Sequence, residues 1–365
     1  MHGVKMINDL NVTNLLNIYE KEISKNVKNK KKLYDFEINK MQYIEDIISM
    51  LKNGQVGHTH YNIFLIYEPK CRLVMSLSVK DKVINHFITR YILETKLTKY
   101  LIDNNVATRK GMGTDYAIKK VIEYINILKK KHKSFYVLKL DISKYFYSIN
   151  HDVLKDLLKS DLDDFEYQIM NNILESTNKA YINNIISKLK AEKDIDIPIY
   201  NYNKGLPIGN MTSQFLSIYY LHKLDYFIVH NLHLKYYIRY MDDFIILDED
   251  LEKLKKAKEI IIDKLENEYK LKVNIKKTWI SNIKYGFSFL GYTYKVIDNK
   301  TIIRIKKSNL EKIKKRIKKN KYLLNNKKKN FYSAFCSIMT YSNCYKFSDN
   351  YKIYKLISRY WYNEK

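Results

Sequence analysis

The sequence predicts an α+β protein, a few aromatic, β-branched strands packed by longer amphipathic helices. Three observations lead there. Residues 236–247 set two runs of aromatic and β-branched residues around Met241-Asp242-Asp243, the pattern of a β-hairpin with an acidic pair at its turn. Residues 135–140 and 285–292 repeat that strand-like composition. Around them, residues 81–101 and 250–269 carry apolar side chains at helical spacing.

A chain of 365 residues with 46% hydrophobic and 29% charged content can bury a substantial core, organised as two or three subdomains. Its 66 basic residues outnumber 39 acidic ones, for a formal charge of +27. That excess points to a polyanionic partner, nucleic acid before membrane. An A/T-rich coding sequence would also enrich Lys, Asn, Ile and Tyr, but it would favour Asp and Glu as well, so it does not fully explain the imbalance. Cys71, Cys336 and Cys344 have neither disulfide-framework numbers nor zinc-ligand spacing, and a reducing cytoplasm is the expected location. No window approaches the roughly 18 apolar residues of a membrane span. The N-terminus has no secretory pattern, so secretion is not expected.

Taken in order, residues 1–55 read as helical, with Ile44, Ile47, Ile48 and Leu51 on one face and a basic run at 23–32. Residues 61–67 and 73–75 read as strands around a turn, which sets Lys70 and Arg72 two apart on one side of the chain. Two such cations could clamp a triphosphate. The Gly-containing basic loop at 107–114 lacks phosphate-loop spacing, yet its glycines beside Arg109 would let backbone N–H groups approach a phosphate. A helix follows at 115–129. The strand at 135–140 delivers Asp141 at its end, either as a helix cap or as a site residue, and a helix begins near His151.

Residues 180–204 are polar and read as an irregular insertion. Residues 205–214 are the densest turn signal of the chain and open a helix at 213–229, capped by Thr212 or Ser213. A helix is expected at 250–269, a short strand and turn at 271–278, and a second aromatic hairpin at 285–292. Residues 304–329 hold thirteen basic residues and one acidic, Glu311. With Leu310, Ile313 and Ile317 at helical spacing they read as a basic helix suited to a phosphate backbone. The Tyr-rich residues 331–361 are expected to complete a small helical bundle. At the central hairpin, adjacent carboxylates between apolar strands resist joint ionisation unless a cation compensates, and hard oxygen donors suit magnesium. An ordinary acidic turn is the other reading.

Asp141, the Gly205–Gln214 turn, Tyr240-Met241-Asp242-Asp243, Lys277 and Phe289-Leu290-Gly291-Tyr292 occur in one order that resembles the reverse transcriptases, from about residue 61 to about 320. The resemblance implies a right-hand polymerase fold. Residues 1–55 would be an N-terminal helical extension, 56–140 the fingers, 141–298 a palm with an antiparallel sheet and an insertion at about 180–204, and 299–365 a basic helical thumb. It implies that Asp141 and Asp242 hold two Mg2+ ions, with Mn2+ as a substitute, that Asp243 completes the cluster and that the Ile142 carbonyl is a further ligand. Lys70 and Arg72 would hold the incoming triphosphate, beside Ile208, Gly209 and Gln214. Phe146 would exclude a 2′-hydroxyl, Lys277 would act as general acid, and Phe289, Leu290, Gly291 and Tyr292 would grip the primer.

One departure stands out. Retroviral and group II intron enzymes carry Gln before the glycine and Ser-Pro after it, where this chain has Ile208 and Ser213-Gln214. That looks like the enzymes of diversity-generating retroelements and related bacterial lineages, defence-associated ones included. The expected function is therefore RNA-directed DNA polymerisation, in antiphage defence with a noncoding RNA. Error-prone copying in a diversity-generating retroelement and a non-catalytic nucleic-acid scaffold are the alternatives. Expected partners are an RNA template or noncoding RNA, a DNA primer and product, dNTPs, and an accessory protein or a second copy of the chain. The 34 tyrosines also permit priming from a Tyr hydroxyl, although coding bias explains them as well. The length leaves no room for an RNase H, integrase or homing-endonuclease domain.

Overall fold

Three antiparallel sheets, of two, four and three strands, carry the fold of the described residues. In this computed structural model those residues are 8–315, without 28, 59, 68–70, 179 and 313. The Tyr-rich bundle expected at 331–361, most of the basic stretch at 304–329, and Lys70 lie outside them.

The chain opens with helices α1 (Val12–Ile18), α2 (Lys30–Ile38) and α3 (Lys40–Lys52). Their buried Leu15, Ile18, Phe36, Ile44 and Ile47 join the main hydrophobic core, so this region is packed into the body of the protein. Strands β1 (Asn62–Ile66) and β2 (Arg72–Ser76) form a separate two-stranded hairpin. Helix α4 (Val79–Ile88) follows and continues through a π-helical stretch, Thr89–Glu94. Helix α5 (Thr114–Lys131) leads into β3 (Tyr136–Asp141), then α6 (Tyr145–Ser148), α7 (His151–Asp161), α8 (Asp164–Glu175) and α9 (Ala180–Lys193). After α10 (Met211–Tyr219) and α11 (His222–Tyr226) come β4 (Tyr236–Tyr240), β5 (Asp243–Asp248) and α12 (Leu251–Asn267). Last come β6 (Trp279–Asn282), β7 (Phe287–Phe289), β8 (Tyr292–Ile297) and β9 (Lys300–Ile305).

The four-stranded sheet has the order β4-β5-β3-β6. Its two middle strands are apolar almost throughout, because both faces are covered. Leu138, Leu140, Phe244 and Ile246 face the helical core. Val137, Ile245 and Leu247 face a second core made with α5 and the β7–β9 sheet. Period-2 alternation then places Lys139, Asp141 and Asp243 on that second face, beside β7.

Several expectations need correction. Residues 180–193 are helical, with Ile182 and Ile186 buried against the β1–β2 hairpin. Two buried positions give a weak periodic signal, and packing on the hairpin rather than propensity stabilises the helix. The helix expected at 213–229 is broken after Tyr219. Its N-cap is Asn210, whose side chain makes no cap bond and donates to the Tyr61 hydroxyl instead. Thr212, an expected cap, donates to Asn85 Oδ1 at 2.7 Å. Residues 271–278 contribute one bridge, Val273 to Ile142, and the strand lies after them at β6. The second aromatic hairpin gains a third strand, β9, so Arg304 and Ile305 are extended and the basic helix begins at residue 307.

The 205–214 turn is locked from below. His151 is fully buried and its Nε2–H donates to the Gly205 carbonyl at 2.8 Å. Burial holds its imidazole below the ordinary value of 6.5, against the pull of that hydrogen bond, and burial does the same to His222. Below about pH 6.5 the unfolded chain takes up protons that the folded chain refuses, so stability falls as pH falls through that point. His151→Gln is expected to flatten this acid-side loss in thermal melts between pH 5 and pH 7. An unchanged slope would remove His151 as its source.

Candidate active site

Two carboxylates from distant segments meet at one end of the central sheet. Asp141, the last residue of β3, pairs in register with Asp243, the first of β5. The turn between β4 and β5 is only Met241-Asp242, with Met241 at φ 58°, the left-handed conformation that tight hairpins require. The Ile142 N–H donates to the Asp242 carbonyl at 3.3 Å. In extended backbone the N–H and C=O of one residue point to the same side, so the Ile142 carbonyl is turned toward the Asp242 side.

Beneath the turn lies an ion pair that is wholly buried. Arg239 of β4 presents Nε and Nη2 to the two oxygens of Asp225 at 2.7 and 2.5 Å, both side chains having no exposure. Its Nη1 donates to the Met241 carbonyl at 3.0 Å and its Nη2 to the Ile218 carbonyl at 2.8 Å. Asp225 also accepts from the Tyr237 hydroxyl at 2.6 Å and from Asn105 Nδ2 at 3.2 Å. Burial disfavours the guanidinium charge, but Asp225 outweighs it and raises the Arg239 pKa, so the ion pair is charged. The acidic turn therefore rests on a fixed, densely hydrogen-bonded support.

Each carboxylate is only partly compensated. Burial and the neighbouring Asp141 charge raise the Asp242 pKa, with Lys277 and Arg72 opposing. Asp243 is pushed up to about 6, chiefly by burial, even though the Lys139 ammonium lies 2.6 Å from its Oδ1. Lys139 also donates to the Ser288 carbonyl at 2.8 Å. The Lys277 ammonium takes both oxygens of Asp141, at 2.9 and 3.1 Å. Among the described residues no three His, Cys, Asp or Glu side chains converge as a ready metal cage. The reason is visible in these pairs: lysine ammonium groups sit where compensating cations are needed. Lys277 is half exposed and can swing away, whereas Lys139 is largely buried and keeps Asp243 to one side. The donor set thus fits hard divalent ions on Asp141 and Asp242 better than on Asp243.

Two clefts share this corner. One, of about 670 Å3, is bounded by Arg72, Phe146, Ile208, Gly209, Gln214, Asp242, Asp243 and Leu290. The other, of about 540 Å3, contains Lys139, Asp141, Asp243, Lys277 and the β7–β8 turn. The Ile208 carbonyl accepts from the Met75 N–H at 2.8 Å, which pins the 205–214 turn to β2. Gly209 has φ +126°, and a Cβ there would stand 2.9 Å from the Met75 carbonyl oxygen. Only glycine lets these two backbones approach so closely.

The Phe289–Tyr292 group divides. Phe289 and Tyr292 are buried in the second core, and the Lys139 ammonium stands 5.9 Å from the Phe289 ring centre. Leu290 and Gly291 form the turn that reaches the clefts, Leu290 bordering both. Arg109 is tied to its own loop, its Nη1 donating to the Ile102 and Asn105 carbonyls at 2.7 and 3.0 Å. Lys70 lies outside the described residues.

Residues 68–294 match the family profile described as reverse transcriptase (RNA-dependent DNA polymerase). The chain belongs to the reverse transcriptase family. No curated protein matches it significantly. Among solved structures it is similar to apo telomerase from Candida tropicalis truncated from its C-terminal domain, at 18% identity and TM-score 0.44, over 68% of this chain and 55% of that one. It is also similar to Candida albicans telomerase in complex with a TWJ fragment of telomeric RNA, at 15% identity and TM-score 0.47, over 85% of this chain and 61% of that one. The chain thus covers less than two thirds of either telomerase chain.

The sequence alone singles out none of Lys139, Arg239 and Asp225 as part of the site. The signal for the first two is a lone charge inside an apolar strand, where burial without a partner would be too costly. For Asp225, on a helix fourteen residues before Arg239, nothing local gives the pairing away.

Proposed function

We propose that this chain extends a primer 3′-hydroxyl with deoxynucleotides on an RNA template, at the corner where β3 meets the Met241-Asp242 turn. The carrying observation is the cross-strand register that brings Asp141 and Asp243 together where the two clefts meet, with Asp242 facing the 670 Å3 cleft. Asp141, Asp242 and the Ile142 carbonyl would hold divalent ions, two Mg2+ or Mn2+, with Asp243 adding negative charge behind them. Bound there, such ions supply activation of the attacking hydroxyl and charge neutralisation on the leaving pyrophosphate. Arg72, with Lys70, orients the triphosphate in the 670 Å3 cleft. Phe146 closes that cleft against a 2′-hydroxyl. Lys277, released from Asp141, donates a proton to the leaving group. The Leu290-Gly291 turn steadies the primer end. In this reading β1–β2 belong to the fingers, the four-stranded sheet is the palm, and the basic segment after β9 begins the thumb. The test is dNTP incorporation on an RNA template with a DNA primer, with and without magnesium. A metal-independent signal, or none, would overturn the reading and favour a non-catalytic scaffold.

Ile208 carries the finer reading. Its side chain borders the cleft beside Gly209 and Gln214 and has no hydrogen-bonding group to offer a base or sugar. Ile208→Gln is therefore expected to lower misincorporation severalfold in primer extension, and an unchanged error rate would count against the idea. The same Ile-Gly-Asn pattern resembles both diversity-generating and defence-associated enzymes, and of the two roles we favour antiphage defence with a noncoding RNA over error-prone copying in a diversity-generating retroelement. Sequencing the nucleic acid that copurifies with the protein separates these roles. A single structured RNA is expected, and a variable-repeat template would reverse the order.

A further inference from the structure

At the opposite end of the palm sheet lies a second basic cavity. Strand β3 runs from Tyr136, beside this cavity, to Asp141, so its length of roughly 17 Å separates the cavity from the active-site corner. The cavity holds about 710 Å3 and shares no lining residue with either active-site cleft, although the 540 Å3 cleft reaches the neighbouring Tyr285 and Lys295. One wall is the end of α5 and the residues after it, Lys129, Lys130, Lys131, His132 and Lys133. Lys284 stands on the loop between β6 and β7. Asp298 is the one carboxylate in the lining.

Lysines in the last turn of a helix complement its dipole, which would explain Lys129 to Lys131 without any ligand. It does not explain Lys133, beyond the helix end, or Lys284 on another element. Among the ion pairs of the described residues, the one made by this group is His132 with Glu249, at 3.9 Å. Lys130, Lys131, Lys133 and Lys284 are exposed. Like charges held around one concavity repel one another, and the repulsion is relieved when a polyanion enters.

The chemistry of the lining narrows the partner. Lysine supplies point charges rather than the bidentate fork that reads base edges, so phosphates are recognised and sequence is not. The lining aromatic, Phe135, is buried, so the cavity wall itself offers no ring for stacking, and the nearest exposed ring, Tyr285, lies outside the lining with the Lys284 ammonium over its face. We propose that this cavity is a second nucleic-acid site, which binds the phosphate backbone of a duplex segment independently of sequence and apart from the polymerase clefts. The site rests on the reading that this chain handles nucleic acid, and not on its polymerase chemistry. It would hold a folded stem while a single strand is copied at the other end of β3.

The test measures binding by fluorescence anisotropy over a salt series, without metal or nucleotide, so that a chain lacking polymerase activity would still report. The probes are an RNA hairpin, a DNA hairpin of the same sequence and a short single strand. Lys130→Gln/Lys131→Gln/Lys133→Gln is expected to weaken hairpin binding about tenfold and to flatten its salt slope by about 0.9 for each phosphate no longer neutralised. Single-strand binding and primer extension on a short template should be unchanged. Weakening confined to the RNA hairpin identifies a structured RNA as the ligand, and equal weakening for both hairpins identifies duplex phosphate in general. Unchanged hairpin affinity and slope would overturn the proposal, as would an equal weakening for hairpins and single strand. If the triple variant fails to fold, Lys284→Gln, on another wall, decides by the same readouts.

Discussion

Asp242→Asn is expected to lower magnesium-dependent deoxynucleotide incorporation at least a thousandfold, about 4 kcal/mol of barrier, while leaving the fold as stable as before or more so. The two effects have one cause. Asp242 is half-buried next to Asp141, and desolvation together with that charge raises its pKa. The folded chain therefore holds this proton at pH values where the unfolded chain has released it, so stability is lost as pH rises through the folded pKa. Above that point the ionised carboxylate opposes folding, and Asn removes the penalty together with the charge that a metal ion requires. Such a trade of stability for activity is common at working sites. Primer extension and thermal melting at pH 8 on the same two proteins check it. Equal incorporation would exclude this corner as the source of activity, and a large fall in melting temperature would contradict the electrostatic account.

Arg239→Met should be the most destabilising single change near the site. It leaves Asp225 charged, buried and short of its main partner, a loss of about 3–5 kcal/mol. In a chain of this size that corresponds to a fall in melting temperature of about 4–7 °C. The Met241 carbonyl also loses its 3.0 Å hydrogen bond from Nη1, so incorporation should fall in protein that remains folded. Arg239→Lys keeps a charge but cannot serve Asp225, Met241 and Ile218 at once, and should fall between. A melting temperature within about 2 °C of wild type for Arg239→Met would show that the pair contributes no net stability.

Much of the site was legible in the sequence because its signals are local. A turn of Met241-Asp242 between β-branched runs can be little else than a hairpin, and Asp141 ends an apolar run that must be a strand. The errors share a physical origin too. The helix at Ala180–Lys193 buries only Ile182 and Ile186, and it exists because the β1–β2 hairpin offers them a surface. The helix after Gly209 breaks at Tyr220-Leu221, although the residues there remain apolar and no proline or glycine marks the break. Phe289 and Tyr292 look like site residues in a linear motif, yet alternation along β7 and β8 turns them into the core.

By itself, then, the sequence determined strands β1 to β5, the acidic hairpin and its upstream carboxylate, because periodicity and turn chemistry act over a few residues. Which charge answers which was decided only in three dimensions. Lys139 on Asp243, Lys277 on Asp141 and Arg239 on Asp225 join positions 104, 136 and 14 residues apart. Coulomb and desolvation energies depend on distance and burial, and neither is written along the chain.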